Sequence, residues 1–166
     1  PKPVICAVNG TAAGAGANVA LACDIVIAAR SATFLQAFAR IGLVPDSGGT
    51  FFLPRLVGDA RARGLMLLAE PIGADRAVEW GLIWKAVDDA DLERETDELA
   101  RRFAAAPTYG LGLIKRALNA SAAHDLDAQL DLERDLQRLA GQSPDYAEGV
   151  RAFIEKRRPR FTGQGG

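Results

Sequence analysis

Val4-Ile5-Cys6-Ala7-Val8-Asn9-Gly10-Thr11-Ala12-Ala13-Gly14-Ala15-Gly16-Ala17-Asn18-Val19-Ala20-Leu21-Ala22-Cys23-Asp24-Ile25-Val26-Ile27-Ala28-Ala29 is the stretch on which the fold turns. Its first five residues are continuously apolar, which suits a strand buried on both faces rather than one with a wet side. Asn9-Gly10 closes that strand as a turn. From Gly14 to Cys23 the residues are small and apolar, as in a helix packed closely on its neighbours. Asp24 punctuates, and residues 25–29 repeat the buried-strand pattern. Strand, helix and strand at this spacing predict a parallel βαβ unit, and so an α/β fold.

Outward from this core the signals change. Residues 31–50 contain Gly42, Pro45, Gly48 and Gly49 and predict turns and short elements. Helical patterns follow at 51–53 and 59–69, then a short helix at 74–80 stopped by Gly81. Residues 82–87 predict a last strand. After Asp88 charges rise and amphipathic helices are expected at 91–105, 111–122, 127–140 and 145–157, with Pro107, Gly110, Gly141 and Pro144 as stops and starts. Leu126, Leu130, Leu132, Leu136 and Leu139 form an apolar stripe of the kind used in cores or subunit contacts. Two parts are expected: residues 1–105, an α/β core, and 106–166, a helical region.

Composition narrows the function classes. The 166 residues carry a formal charge of −1, which gives no reason to expect nucleic acid or an anionic membrane as partner. No apolar run approaches the ~20 residues that span a bilayer, and a cytoplasmic location is expected. Cys6 and Cys23 lie in apolar surroundings without CxxC spacing, so they are expected to be core thiols rather than a disulfide or metal pair. The chain opens at Pro1 without a methionine and runs at once into a core strand, so a further N-terminal segment is expected to precede it.

Three places could carry chemistry. The loop from Asn9 to Asn18 lets a ligand approach the backbone, and the N–H groups of the helical turn it opens could hold an oxyanion, phosphate or carboxylate. Tight helix–strand packing would demand the same small residues. A dinucleotide fingerprint fails at Val19, where close packing needs Gly or Ala. In Leu43-Val44-Pro45-Asp46-Ser47-Gly48-Gly49-Thr50, Asp46 is either a partly desolvated carboxylate suited to act as a base near neutrality or a helix N-cap. The basic run Lys156-Arg157-Arg158-Pro159-Arg160 is either a solvated tail or a contact for ligand phosphates. His124, the single histidine, reads as a solvated helix end, and no metal site is expected to rest on it.

Taken together these residues resemble the enoyl-CoA hydratase/isomerase, or crotonase, family. The resemblance runs through residues 2–10, 13–18 and 23–25. It continues through Gly42-Leu43-Val44-Pro45, Gly48-Gly49-Thr50, Leu53-Pro54-Arg55, Ala77-x2-Trp80-Gly81-Leu82 and the ending 148–157. Residues 43–49, 126–133 and 160–163 look like the branch that isomerises ring-epoxide CoA thioesters in phenylacetate breakdown.

The resemblance implies a crotonase-like spiral of ββα repeats with a C-terminal helical region that assembles homotrimers or hexamers. It implies an acyl-CoA thioester substrate, no cofactor beyond the coenzyme A of that substrate, and an oxyanion hole of two backbone N–H groups. One of these matches Ala15, between Gly14 and Gly16; the other falls in the segment expected before Pro1. The two glutamates with which family hydratases position water fall on Asn18 and Phe38, neither a carboxylate; Asn18 is expected to orient substrate or water and Phe38 to keep the pocket apolar. Asp46 matches a carboxylate position of family isomerases, which tips it from cap toward catalysis. Phe153 and Lys156 match positions beside the acyl pocket and the CoA phosphates. An isomerase is therefore expected, with a hydratase or a non-catalytic acyl-CoA-binding partner of a degradation complex as alternatives.

Overall fold

The computed structural model describes residues 1–165 and divides into two compact units. One is Val4–Glu98; the other is Leu99 onward together with Pro1–Pro3. The division falls between Glu98 and Leu99.

The Val4–Glu98 unit is the α/β part. Its elements are β1 (Ile5–Val8), β2 (Thr11–Ala13), α1 (Ala15–Leu21), β3 (Ile25–Ala29), β4 (Thr33–Leu35), a 3-10 segment (Ala37–Ile41), α2 (Gly49–Val57), α3 (Asp59–Leu68), β5 (Ile72–Gly73), α4 (Ala74–Glu79) and β6 (Lys85–Val87). The first four strands alternate between two three-stranded sheets, β5 then pairs with β4 and β6 returns to β3, giving the orders β1-β3-β6 and β2-β4-β5. The first sheet is parallel, with Ile5 opposite Ile25 and Ile27 opposite Lys85. In the second, β2 runs parallel to β4 and β5 antiparallel to it. The expected βαβ unit is thus present as β1-α1-β3, within a spiral of ββα turns.

Burial separates the two strands that the sequence makes look alike. β3 is central and its Val26, Ile27, Ala28 and Ala29 are buried, as a continuous apolar run requires. Among the described residues β1 lies at the edge of its sheet: only Val8 is buried, while Ala7 is exposed. The expectation of a fully buried first strand is corrected accordingly. β2 falls within the stretch expected to be loop, because a three-residue strand of Thr and Ala has no apolar alternation to announce it. Cys6 and Cys23 are free and half-buried rather than deep in a core. Burial, and secondarily the neighbouring Cys23, raise the Cys6 thiol above its ordinary value.

The second unit is helical, with α6 (Thr108–Ser121), α7 (Leu126–Gly141) and α8 (Pro144–Ile154); the preceding α5 (Leu92–Ala104) contains the division. Asp125 caps α7 by accepting the Ala128 N–H at 2.9 Å, and Ser143 caps α8 from Tyr146 N–H at 3.2 Å, with Pro144 in the first turn. Gly110 does not stop a helix as expected; it lies within α6. Of the leucine stripe, Leu136 is buried whereas Leu126 and Leu130 are exposed. No helix among the described residues is long and apolar enough to cross a membrane.

Candidate functional site

The expected site residues of the α/β unit gather around the start of α1. β2 pairs with β4, and Gly14 extends that ladder by donating its N–H to the Leu35 carbonyl at 2.8 Å. Gly14 then turns the chain into α1 with φ of +54°, a left-handed value favouring glycine. The ring of Phe38, itself buried, packs under this turn: a Cβ on Gly14 would stand 3.7 Å from its tip. Ala15 and Gly16 begin the helix at the surface. Their N–H groups lie in the first turn, where helical geometry supplies no backbone acceptor.

One turn along α1, Asn18 is 1% exposed, and both ends of its carboxamide are engaged. Its Nδ2 donates to the backbone carbonyl of Asp46 at 2.8 Å, and its Oδ1 accepts from Gln36 Nε2 at 2.7 Å. The Asp46 carbonyl also accepts the Gly49 N–H at 2.9 Å. Between them Ser47 and Gly48 have φ of 50° and 79°, so the turn carries left-handed backbone at both central positions. Gly49 must be small here, since an added Cβ would overlap the Asn18 carboxamide, 2.7 Å from its Cγ.

This turn decides between the two readings of Asp46. Helix α2 has Gly48 at its N-cap and no side-chain cap, so the Asp46 carboxylate is not a capping group. Among the described residues its Oδ1 accepts a local bond, from Ser47 Oγ at 3.0 Å. The side chain is exposed in this chain, which corrects the expectation of a partly desolvated carboxylate. What is buried is the hardware holding it: Asn18, Gln36 and Gly49.

Gln36 is not among the site residues expected from the sequence. The signal was present: a long carboxamide inside the apolar run Phe34-Leu35-Gln36-Ala37-Phe38. A polar residue in such a run is buried only when hydrogen-bonded.

Phe153 and Lys156 belong to the helical unit. Phe153, near the end of α8, is 86% exposed. Lys156 follows that helix with φ of 53°, where a glycine is usual; its N–H reaches the Phe153 carbonyl and the Arg157 N–H the Ala152 carbonyl. Arg157 is not available to a ligand as an unpaired cation. It grips Glu148 with two bonds of 2.6 and 3.0 Å and also pairs with Glu155. The Arg157 guanidinium and the Arg160 backbone N–H hold the Glu148 carboxyl down at about 2. His124 is exposed beside the start of α7, its Nδ1 3.1 Å from Gln129 Oε1. No cluster of three or more His, Cys, Asp or Glu that could hold a metal occurs among the described residues.

The chain is 62% identical to the 1,2-epoxyphenylacetyl-CoA isomerase of Escherichia coli over 164 residues, 99% of this chain and 63% of that protein. It is 56% identical to the "Probable enoyl-CoA hydratase" of Rhodobacter capsulatus, covering 99% of this chain and 64% of that one. Among solved structures, an enoyl-CoA hydratase from Bacillus anthracis superposes with a TM-score of 0.94 at 36% identity, covering 98% of this chain and 63% of the other. The chain therefore spans somewhat under two thirds of the length of these relatives. The sequence profile described as enoyl-CoA hydratase/isomerase matches residues 1–164, and with that match and this spiral of ββα turns, the chain belongs to the enoyl-CoA hydratase/isomerase family.

Proposed function

We propose that this chain forms part of an acyl-CoA isomerase, shifting a double bond or a ring epoxide through a thioester enolate, in the breakdown of aromatic acids. The observation that carries this reading is the fate of the two positions matched to hydratase glutamates. Asn18 is an amide committed to the Asp46 turn and Phe38 is a buried ring. Neither can activate water as a carboxylate would. Asp46 presents a carboxylate free of any capping duty. One carboxylate suffices for isomerisation, because the same group can take a proton from one carbon and return it to another.

In this mechanism the thioester carbonyl accepts the Ala15 N–H and a second donor from outside the chain described here. Fixed donors aimed at the developing enolate oxygen stabilise it, with one such donor typically worth ~3 kcal/mol. Gly14 and Gly16 leave the backbone open to the substrate, and Phe38 under Gly14 keeps the floor apolar. Phe153 would wall the acyl group and Lys156 would meet the CoA phosphates. Exposed Ile114, Leu118 and Leu130 on α6 and α7 support assembly into a homotrimer or hexamer. Proton transfer within a CoA thioester calls for no metal or redox group, and the enzyme would work in the cytoplasm.

The test is Asp46→Asn in the complete gene product, assayed for isomerisation of an unsaturated or ring-epoxide acyl-CoA. A loss of kcat of about 10²–10⁴-fold is expected; activity within a few-fold of the parent overturns the role. A hydratase is the second reading, favoured by the 56% identity to a protein of that name. Addition of water to crotonyl-CoA at a rate exceeding isomerisation would establish it. Tight CoA binding with no exchange of the substrate α-proton would instead point to a non-catalytic binding partner.

A further inference from the structure

We propose that Gln36 is a positioning residue for the acid–base step, holding the Asp46 turn in place through Asn18. This rests on the reading of Asp46 as the base. The first argument is direction. The Asp46 carbonyl is an acceptor only, so the Asn18 group 2.8 Å from it must be the NH2. That leaves Asn18 Oδ1 facing Gln36 at 2.7 Å, and an oxygen there demands the Gln36 NH2. The chain of bonds runs one way, Gln36 to Asn18 to Asp46, and neither amide can flip without setting oxygen against oxygen.

The second argument is cost. Gln36 is 4% exposed, and its Oε1 is buried without a partner among the described residues. An unpaired buried amide oxygen is destabilising, and an apolar pair filling the same volume would be about as stable. Folding stability alone gives little reason for an amide here. A reason exists in the turn itself. Ser47 adopts φ of 50°, a conformation that side chains beyond glycine adopt reluctantly. Its flanking residues Asp46 and Gly48 are exposed among the described residues. The Asp46 carbonyl is the point where the turn is pinned, and it is pinned twice, by Gly49 N–H and by Asn18. Asn18 can hold it only while Gln36 keeps its amide turned the right way.

Gln36→Met, Asn18→Leu and the double variant of the complete gene product separate positioning from structure. A group that only fills space would change stability and leave kcat alone. A positioning chain lowers kcat by about ten- to a hundred-fold, as small misplacements of reacting groups do, while KM for the acyl-CoA stays within about three-fold. Because Gln36 acts through Asn18, the double variant is expected to be no slower than the slower single one. A kcat within two-fold of the parent in Gln36→Met, or losses that multiply in the double variant, overturns the proposal.

Amide hydrogen exchange at Gly49 gives a readout independent of catalysis. It is expected to speed up at least about ten-fold in Gln36→Met at unchanged global stability; unchanged exchange overturns the proposal. Should the parent prove not to isomerise acyl-CoAs at all, the proposed function falls, and Gly49 exchange alone decides whether Gln36 holds the turn. If Gln36→Met does not fold, Gln36→Asn, an amide too short to reach Asn18, carries the same readouts.

Discussion

In the Val4–Glu98 unit the Asp46 turn is fixed from beneath by neutral hydrogen bonds from Asn18 and Gly49, and Asn18 is held in turn by the buried Gln36. In the helical unit Lys156 and Phe153 stand in solvent at the end of α8, and the tail beyond them is tied down by charge, chiefly Arg157 on Glu148. The two holds respond to different insults. A neutral bond in a water-free setting is insensitive to salt, yet fails when a partner is removed or crowded. A surface ion pair tolerates crowding but is weakened by salt and by acid. Groups that must stay still during chemistry suit the first kind, and groups that meet a mobile charged ligand suit the second.

The sharpest way to break this contrast is to remove mass from each part. Leu53, on the helix that follows the Asp46 turn, is 1% exposed. Leu53→Ala is expected to cost about 2–5 kcal/mol of unfolding free energy, read from urea denaturation. Phe153→Ala, at 86% exposure, is expected to change it by no more than about 0.5 kcal/mol. Comparable costs would mean that Phe153 is buried by a subunit contact. Next in size is Gly49→Ala, which drives a methyl into the Asn18 carboxamide. A loss of about 1–3 kcal/mol is expected from overpacking, together with a fall in kcat.

Lys156→Gly should act in the opposite sense. Relieving a left-handed lysine gains about 1–2 kcal/mol, offset by roughly 0.5–1 kcal/mol for the greater freedom of glycine in the unfolded chain. A small rise in Tm is therefore expected, with a raised KM for acyl-CoA if the ammonium meets CoA phosphates. A stabilised variant with unchanged KM would remove Lys156 from the ligand site.

How much of this was legible follows the same division. The β1-α1-β3 unit could be read because a central strand such as β3 must be apolar on both faces. β1 misled because an edge strand can be as apolar as a central one. The four-residue spacing of the helices was legible in the charged second half, since amphipathic patterns carry their own period. The small-residue loop and Asp46 could be picked out by residue type, but not the bond between them. Residues 18, 36 and 46 meet only through tertiary pairing, and no local pattern states that Asn18 holds a backbone carbonyl twenty-eight positions on. Sequence reading could equally not tell Arg157 from its basic neighbours; its commitment to Glu148 depends on α8 carrying that carboxylate back to it.

The smallest effect expected is also the one that isolates the charged hold. Glu148 has its carboxyl lowered to about 2 from an ordinary 4.5 by Arg157 and the Arg160 N–H. A depressed acid adds stability that is complete above its unfolded value and disappears as pH falls through its folded one. The Glu148 contribution should thus be whole above about pH 4.5 and be lost progressively toward pH 2. Glu148→Gln should abolish that part of the acid dependence and loosen the tail at neutral pH, seen as faster proteolysis beyond α8. Because the pair is partly solvated, raising the salt at neutral pH should loosen the parent tail in the same direction. The Gly49 amide, held by neutral bonds, should show neither response: its exchange, corrected for the intrinsic pH dependence of the chemistry, should stay flat across the same acid range. Acid-sensitive protection at Gly49 would mean that the two holds are coupled, and the contrast between a neutral, buried site and a charged, exposed one would fail at its most direct point.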